Sequence, residues 1–541
     1  MGHTLIECDF FLIIKKEVIL NWHWLNWVVL IIYFLSMVGI GIYFSKRNKS
    51  TKDYFTASGR IPSWVTAFSI YATALSSISF IAIPASVYKG GAIMGWHPLG
   101  IIIMVIWAAL VFVPFFRKVN VTTAYEYLGK RFDNGFRWIG SLSFILFHLI
   151  RMAVVLYLPT LALKEALPSL NPVLLLVTVA FLCVVYTSLG GIEAVLWSDA
   201  IQTIILLFGA ILIIIIGYTS VPGGMSVAFN TLIKDGKTIP KSAWEISMTG
   251  TTFIGILVGG FLNAIYSYIG SQDIVQRYST TKNEDEAKKS VLINIPLLCM
   301  SIFIFTGMGT ALYLFFKFKE VLPNNIEGNT ILPYFVINHI PLGISGIILA
   351  AIFAAAQSTV SSSLNSLSTC VTSDIISPLK KGLADTEKLK VAKFVSWIAG
   401  IFSTLLAIRF LQVGQGNMFL YFQAITGLLG APIAGLFLIG IFSEKIDSKA
   451  AWVGFISSSL TAIYIGNPVG LLTKFFPTYT KPMLFELLMG LIVILACIIP
   501  AWIASFFFQN PKKQNINGLT YSTLIKDKNK RSEEKNNKVF L

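Results

Sequence analysis

The spacing of its apolar runs limits the fold of this chain more than any other feature. Stretches of roughly 20 apolar residues, enough for an α-helix to cross about 30 Å of hydrocarbon, recur along almost the whole sequence. They lie near 25–44, 64–88, 94–116, 137–163, 172–189, 196–218, 251–270, 290–316, 342–372, 392–412, 417–442, 450–470 and 483–508. The expectation is an all-α membrane protein of about 13 transmembrane helices, because only helices and closed barrels satisfy their backbone in lipid. Hydrophobic residues make up 55% of the 541 and charged ones 13%, which argues against a large soluble protein. Several runs exceed 25 residues, so tilts or breaks are expected. Residues 25–508 therefore read as one transmembrane domain. They are preceded by an outer-side segment, 1–24, and followed by a charged tail, 509–541, expected to be mostly disordered.

The net charge of +16 raises the question of a nucleic-acid partner, and its distribution answers it. Lys and Arg concentrate in 46–60, 117–131, 277–289, 380–390, 445–449 and 512–538, stretches that share one side if the spans alternate. Excess positive charge marks the cytoplasmic side, which puts the N-terminus outside and the C-terminus inside, with no nucleic acid implied. In the N-terminal segment the apolar run Phe10–Ile14 precedes Lys15-Lys16, the wrong order for a secretory signal. The five cysteines, Cys8, Cys183, Cys299, Cys370 and Cys497, form no metal-ligand spacing and read as small core residues. Phosphate-binding loops, zinc-protease helices and paired Cys-x-x-Cys motifs are missing. An ion gradient is then the remaining energy source, and the chain is not read as an enzyme.

One span carries an unusual load of hydroxyls: Ala350–Thr369. At about 100° per residue, Ala355, Ser358, Thr359, Ser362, Asn365, Ser366 and Thr369 share a face. Such a stripe at membrane depth must meet other helices, a water-filled cavity or an ion. Small and hydroxyl residues also pack helices closely, so packing alone is the plain alternative. Neutral oxygens suit a hard monovalent cation, with Na⁺ the first candidate.

Two other spans are interrupted. The second holds Tyr71-Ala-Thr-Ala-Leu-Ser-Ser-Ile-Ser79 followed by Pro84; the seventh holds Gly259-Gly260, Asn263, Tyr266, Tyr268 and Gly270, and runs into Ser271–Arg277. Matching interruptions five spans apart point to an inverted-repeat transporter with its site at the broken helices, although Gly259-Gly260 also suits close helix packing. Arg151 sits at least two turns inside the fourth span. Charge at that depth is functional by default. It pairs with a neighbouring acid, Asp199 or Glu193, or it offers a bidentate fork to an anionic ligand. The loop Val221–Met248 reads as solvated, with turn signals at Pro222-Gly-Gly224 and Asp235-Gly236.

Ala72–Ser79, Tyr186–Gln202, Gln272–Arg277 and Ala354–Ser366 together resemble the sodium:solute symporters, over nearly all of 25–508. The resemblance implies a LeuT-like core, an inverted five-plus-five repeat with broken first and sixth core helices, preceded by one peripheral leading helix. It implies a sodium ion held by the backbone of Ala72, Leu75 and Ala355 and the hydroxyls of Ser358 and Thr359. Within the family the chain most resembles bacterial sialic acid symporters. That likeness implies a second sodium site at Asp199, Ser358, Ser361 and Ser362, and Arg151 for the substrate carboxylate. Ser76, Ser79 and Phe261 are the other expected substrate contacts, with His97 more a packing residue. Ala74 departs from the pattern, standing where a substrate-facing hydroxyl is expected.

The reading is a multi-pass cell-membrane transporter coupling inward sodium flow, two ions per cycle, to uptake of a carboxylated solute. Sialic acid (N-acetylneuraminate) comes first; a monocarboxylate, sugar or amino acid is the alternative substrate. A membrane solute sensor is the alternative from another class, and the short tail argues against an output domain. The partners expected are a small anionic substrate and the lipid bilayer, with no nucleic acid and no obligate protein partner.

Overall fold

The computed structural model describes residues 24–166, 171–245, 247, 252–324, 326, 328–413, 425–467, 472, 489–508 and 516–525. Every regular element among them is helical. Among the described residues nine helices are long and apolar enough to cross a membrane, together with one bent pair. In chain order they begin with α1 (Trp24–Ser45), followed by the short α2 (Thr51–Thr56) and the bent pair α3 (Ser63–Ala74) and α4 (Ser77–Gly90). Next come α5 (Ala92–Val119), the short α6 (Ala124–Arg131), α7 (Asn134–Ala166) and α8 (Pro172–Thr219). The connecting α9 (Gly224–Lys234) leads to α10 (Phe253–Gly270) and the short α11 (Gln272–Val275). Then follow α12 (Glu284–Phe318), α13 (Ile331–Asn338), α14 (Ile344–Leu379) and α15 (Asp385–Val413). The described chain closes with α16 (Thr426–Phe442), α17 (Ser448–Gly466) and α18 (Met489–Phe507).

The 48 residues of α8 contain two expected spans. They are joined at Gly191, whose φ of 60° and ψ of −159° lie outside the helical region. A side chain there would be strained and would also meet the Tyr54 ring at 2.8 Å. Parts of the expected eleventh, twelfth and thirteenth spans, 417–424, 468–470 and 483–488, lie outside the described residues, as does segment 1–23.

Burial ranks the helices. Within its most apolar window α14 is 89% buried, against 28% for α1 and for α18. The hydroxyl-rich helix is the central pillar, and exposed apolar side chains belong to other helices, such as Ile32, Leu35, Phe303 and Phe507. Helix α1, although only 28% buried in that window, is tied to the pillar. Asn26 Oδ1 accepts hydrogen bonds at 3.0 Å from the backbone of Gly343 and Gly346 and from the Ser345 hydroxyl, which satisfies donors left open at the start of α14. Two turns further along α1, the Tyr33 hydroxyl donates to Gln357 Oε1 at 2.6 Å.

Several expectations are corrected. The seventh span does not break at Gly259-Gly260: α10 runs through both, and Gly260 serves close packing, since a methyl there would meet the His97 carbonyl at 2.5 Å. The solvated loop after Val221 contains α9 and then straps onto the end of α4. The Ala92 N–H donates to the Lys237 carbonyl at 2.9 Å, and Lys237 Nζ to the Tyr88 carbonyl at 2.9 Å. The tail expectation falls mostly outside the described residues; within 516–525 the Leu519 carbonyl accepts from the Tyr127 hydroxyl at 3.1 Å, and the Tyr521 ring lies 6.1 Å from Phe442. Cys183, Cys370 and Cys497 are buried as expected, but Cys299 is exposed.

Where α5 crosses α10, a methyl at Gly100 would meet the Phe261 amide at 2.6 Å and the Gly260 Cα at 2.9 Å. Backbone on both sides leaves nothing flexible to yield. Gly100→Ala should therefore destabilise the protein by about 1–3 kcal/mol, whereas Gly39→Ala, with nothing within 4 Å, should not. Thermal unfolding of the two variants in detergent checks this; equal melting would remove the close-packing role.

Candidate functional site

The site begins with a gap in a helix. Helix α3 ends at Ala74, Leu75 (φ −90°, ψ 107°) and Ser76 (φ −102°, ψ 173°) are extended, and α4 restarts at Ser77 with a 60° bend. Pro84 lies inside α4 and not at the break. The Leu75 amide closes the last turn on the Tyr71 carbonyl at 2.9 Å, while the carbonyls of that turn have no following helical N–H to accept. Opposite them stands the hydroxyl face of α14. Ser358 Oγ lies 3.2 Å from the Ala72 carbonyl and 3.3 Å from that of Ala355, and Thr359 Oγ1 lies 3.4 Å from the latter. A hard cation sits about 2.4 Å from its oxygen ligands, so ligands at right angles are about 3.4 Å apart. The spacing of these oxygens suits one such ion among them, with Leu75 at the same break.

A second group lies one turn along α14. Asp199 Oδ2 accepts from Ser69 Oγ at 2.5 Å, from Arg277 Nη2 at 3.1 Å and from Ser362 Oγ at 3.2 Å. Its other oxygen, Oδ1, is buried without a hydrogen-bond partner. Ser361 Oγ donates to the Ser358 carbonyl at 3.2 Å. A buried carboxylate oxygen with no donor is costly, and a cation there would satisfy it.

The third group surrounds a cavity of about 330 Å³ beside the break, the size of a small-molecule site. Thr73, Ala74, Ser76, Ser79, Arg151 and Asp273 line it, so Ala74 does face the cavity where a hydroxyl was expected. Arg151 donates from Nη2 to the Thr73 carbonyl at 2.7 Å, in the last turn of α3, and from Nη1 to Asp273 Oδ2 at 3.2 Å.

The expected pairing of Arg151 with Asp199 or Glu193 is thus corrected. Asp199 pairs with Arg277 at 3.1 Å, and Glu193 with Arg47 at 2.9 Å and Arg60 at 3.1 Å. Asp273 and Arg277, in the stretch that continues the interrupted seventh span, receive no role of their own from the sequence, yet they are 1% and 0% exposed. Their signal was available: Gln272–Arg277 directly continues a broken span, where half-helices turn inward. Phe261 does not line the cavity. It lies about 140–160° round α10 from the lining positions Ile256 and Asn263, and stacks on Trp107 at 6.1 Å. His97 does line it, as does Asn263 from the interrupted seventh span, together with Ser267 and Thr426, which carry no signal in the sequence.

Interrupted helices that present backbone and hydroxyl oxygens to a buried pillar, with a polar-ended cavity at the break, define a secondary transporter. The fold agrees with that of Mhp1, a nucleobase-cation-symport transporter, with a TM-score of 0.55 at 15% identity over 86% of this chain and 97% of that one. The chain belongs to the sodium:solute symporter family, whose model matches residues 54–457; it is a sodium-coupled transporter and not an enzyme. It is 36% identical over 513 residues to the sodium/sialic acid symporter NanT of Aliivibrio fischeri, covering 94% of this chain and 97% of that protein. It is 41% identical over 443 residues to the sodium/sialic acid symporter SiaT of Proteus mirabilis, covering 81% and 89%. The solved substrate-bound, outward-open state of a Na⁺-coupled sialic acid symporter matches with a TM-score of 0.83 at 37% identity, covering 91% of this chain and all of that one.

If the first oxygen group holds sodium, Ser358→Ala and Thr359→Ala each delete one ligand without adding bulk. A hydrogen bond to a charged group contributes about 1.5–3 kcal/mol, so each variant should raise the half-saturating sodium concentration about tenfold or more. Sodium titration of uptake measures it. An unchanged titration in both would reduce the stripe to helix packing.

Proposed function

We propose that the protein uses inward sodium flow to take up sialic acid, with Arg151 gripping the substrate carboxylate and two sodium ions moving per cycle. The observation that carries this reading is the position of Arg151. It is 9% exposed, opens on the cavity, and is bonded to the same broken turn whose carbonyls face the first oxygen group. Substrate and ion would thus share one helix end. Ala72, Leu75, Ala355, Ser358 and Thr359 hold the first sodium; Asp199, Ser358, Ser361 and Ser362 hold the second. Ser76 and Ser79 supply hydroxyls to the sugar. The names borne by the bacterial relatives support sialic acid as the solute, and a sodium-coupled monocarboxylate transporter, 27% identical, marks the other carboxylates to include in a test. The basic loops put the N-terminus outside and the C-terminus in the cytoplasm.

Energetics favour two ions. One charge crossing about 100 mV contributes about 2.3 kcal/mol, and a tenfold gradient about 1.4 kcal/mol. One Na⁺ with a monoanion moves no net charge, leaving roughly tenfold accumulation across a tenfold sodium gradient. Two Na⁺ give about 5 kcal/mol, enough for several thousand-fold.

Two measurements test the reading. Arg151→Lys keeps the charge but loses the planar fork, so substrate affinity should fall about tenfold or more; wild-type uptake by the variant would make the arginine structural. Reversal potentials in proteoliposomes supplied with labelled sialic acid should show one net positive charge moved per substrate. Electroneutral uptake that Asp199→Asn leaves unaltered would remove the second ion, and uptake of another carboxylate in place of sialic acid would reassign the solute.

A further inference from the structure

The segment that follows the break after α10 carries two buried charges four residues apart, and each holds a different site. Ser271 is extended (φ −92°, ψ 118°), α11 restarts at Gln272, and a short helical stretch continues to Ser279. Asp273 binds Arg151 Nη1 at 3.2 Å from within the cavity wall. Arg277 binds Asp199 Oδ2 and Ser362 Oγ, at 3.1 and 2.6 Å. The two are also joined directly, since Arg277 Nη1 donates to the Asp273 carbonyl and Ser271 Oγ to Asp273 Oδ1. His148 faces Asp273 from α7, its Nε2 3.8 Å from Oδ2, and is itself bonded through Nδ1 to Ser363 at 2.8 Å.

A guanidinium takes a carboxylate best through two parallel N–H groups. Here one terminal nitrogen of Arg151 is held by Asp273 and the other by the Thr73 carbonyl. A substrate carboxylate takes the bidentate position best when Asp273 withdraws, because two carboxylates on one guanidinium repel each other in a site of low dielectric. We propose that Asp273 is a resident counter-anion of Arg151 that the substrate displaces, and that α11 transmits this exchange through Arg277 to Asp199. Resting on the function proposed above, this makes Asp273 a positioning residue that couples solute to the second sodium. When Asp273 leaves Arg151, the turn that carries Arg277 shifts with it and frees Asp199 for sodium. By reciprocity, sodium at Asp199 favours the withdrawn segment and hence the substrate.

The test uses the purified full chain and measures binding of N-acetylneuraminate and of its neutral carboxamide, each with and without sodium. Asp273→Asn removes the competing charge. It should bind the acid about tenfold tighter without sodium, within the usual range of such couplings. Sodium's own enhancement of binding should shrink toward none, and the carboxamide affinity should move less than about twofold. Asp273→Glu, which keeps the anion, should retain the sodium enhancement. If Asp273→Asn cannot be purified alone, growth and extraction with the acid present should rescue its yield by supplying the missing anion; no rescue overturns the proposal. A wild type that fails to bind the acid overturns this proposal together with the function. A wild type that binds it, beside an Asp273→Asn variant that binds no tighter, overturns this proposal alone.

Discussion

The rest of the site depends on the two-residue interruption at Leu75 and Ser76. Within hydrocarbon a helix satisfies its own backbone, and stopping one in the middle of a bundle leaves carbonyls without donors. Two groups meet those of α3: the hydroxyl of Ser358 at Ala72 and the guanidinium of Arg151 at Thr73. The break thus makes both an oxygen cluster and an anchor for a buried positive charge. Neither exists if α3 runs straight into α4.

Buried charge is costly at this depth, and the protein holds it in pairs that cross between helices. Arg151 on α7 meets Asp273 on α11, and Arg277, just beyond α11, meets Asp199 on α8. Taking one partner from such a pair is strongly unfavourable unless another group of the same charge replaces it. That makes the pairs exchangeable by ions and carboxylates and little else. The same physics explains why so much of α14 is polar yet enclosed: its hydroxyls bond carbonyls of their own helix, as Ser361 does, or polar side chains of neighbouring elements, as Ser362 does with Asp199 and Ser363 with His148.

Much of this was legible along the chain. The apolar runs give the helices, because a backbone in lipid has few other options. The periodicity of Ala350–Thr369 puts Ser358, Thr359, Ser362 and Asn365 on one face; Ser358 meets the α3 break, and Asn365, two turns on, meets Gln276. Arg151 announced itself by depth alone. The break at Leu75 and Ser76 was signalled by a cluster of small and hydroxyl residues. At Gly259-Gly260 a similar signal meant close packing against α5, since glycine serves both ends and its neighbours decide which.

What composition and periodicity determined was the local problem: which segments are helices at membrane depth, and which carry polar groups that must be satisfied there. Partners were decided only by the tertiary structure. No one-dimensional pattern distinguishes Asp199, Glu193 and Asp273 as the acid for Arg151, because each lies far from it in sequence and the choice follows from which helix ends meet. Arg277 and Asp273 have no visible partners in the sequence until α11 folds back into the bundle, and Phe261 looks like a pocket residue until the rotation of α10 turns it toward Trp107. The physical reason is the same in each case: a side chain's burial requirement is set by its own chemistry, but the group that meets the requirement is set by how separately stable helices pack.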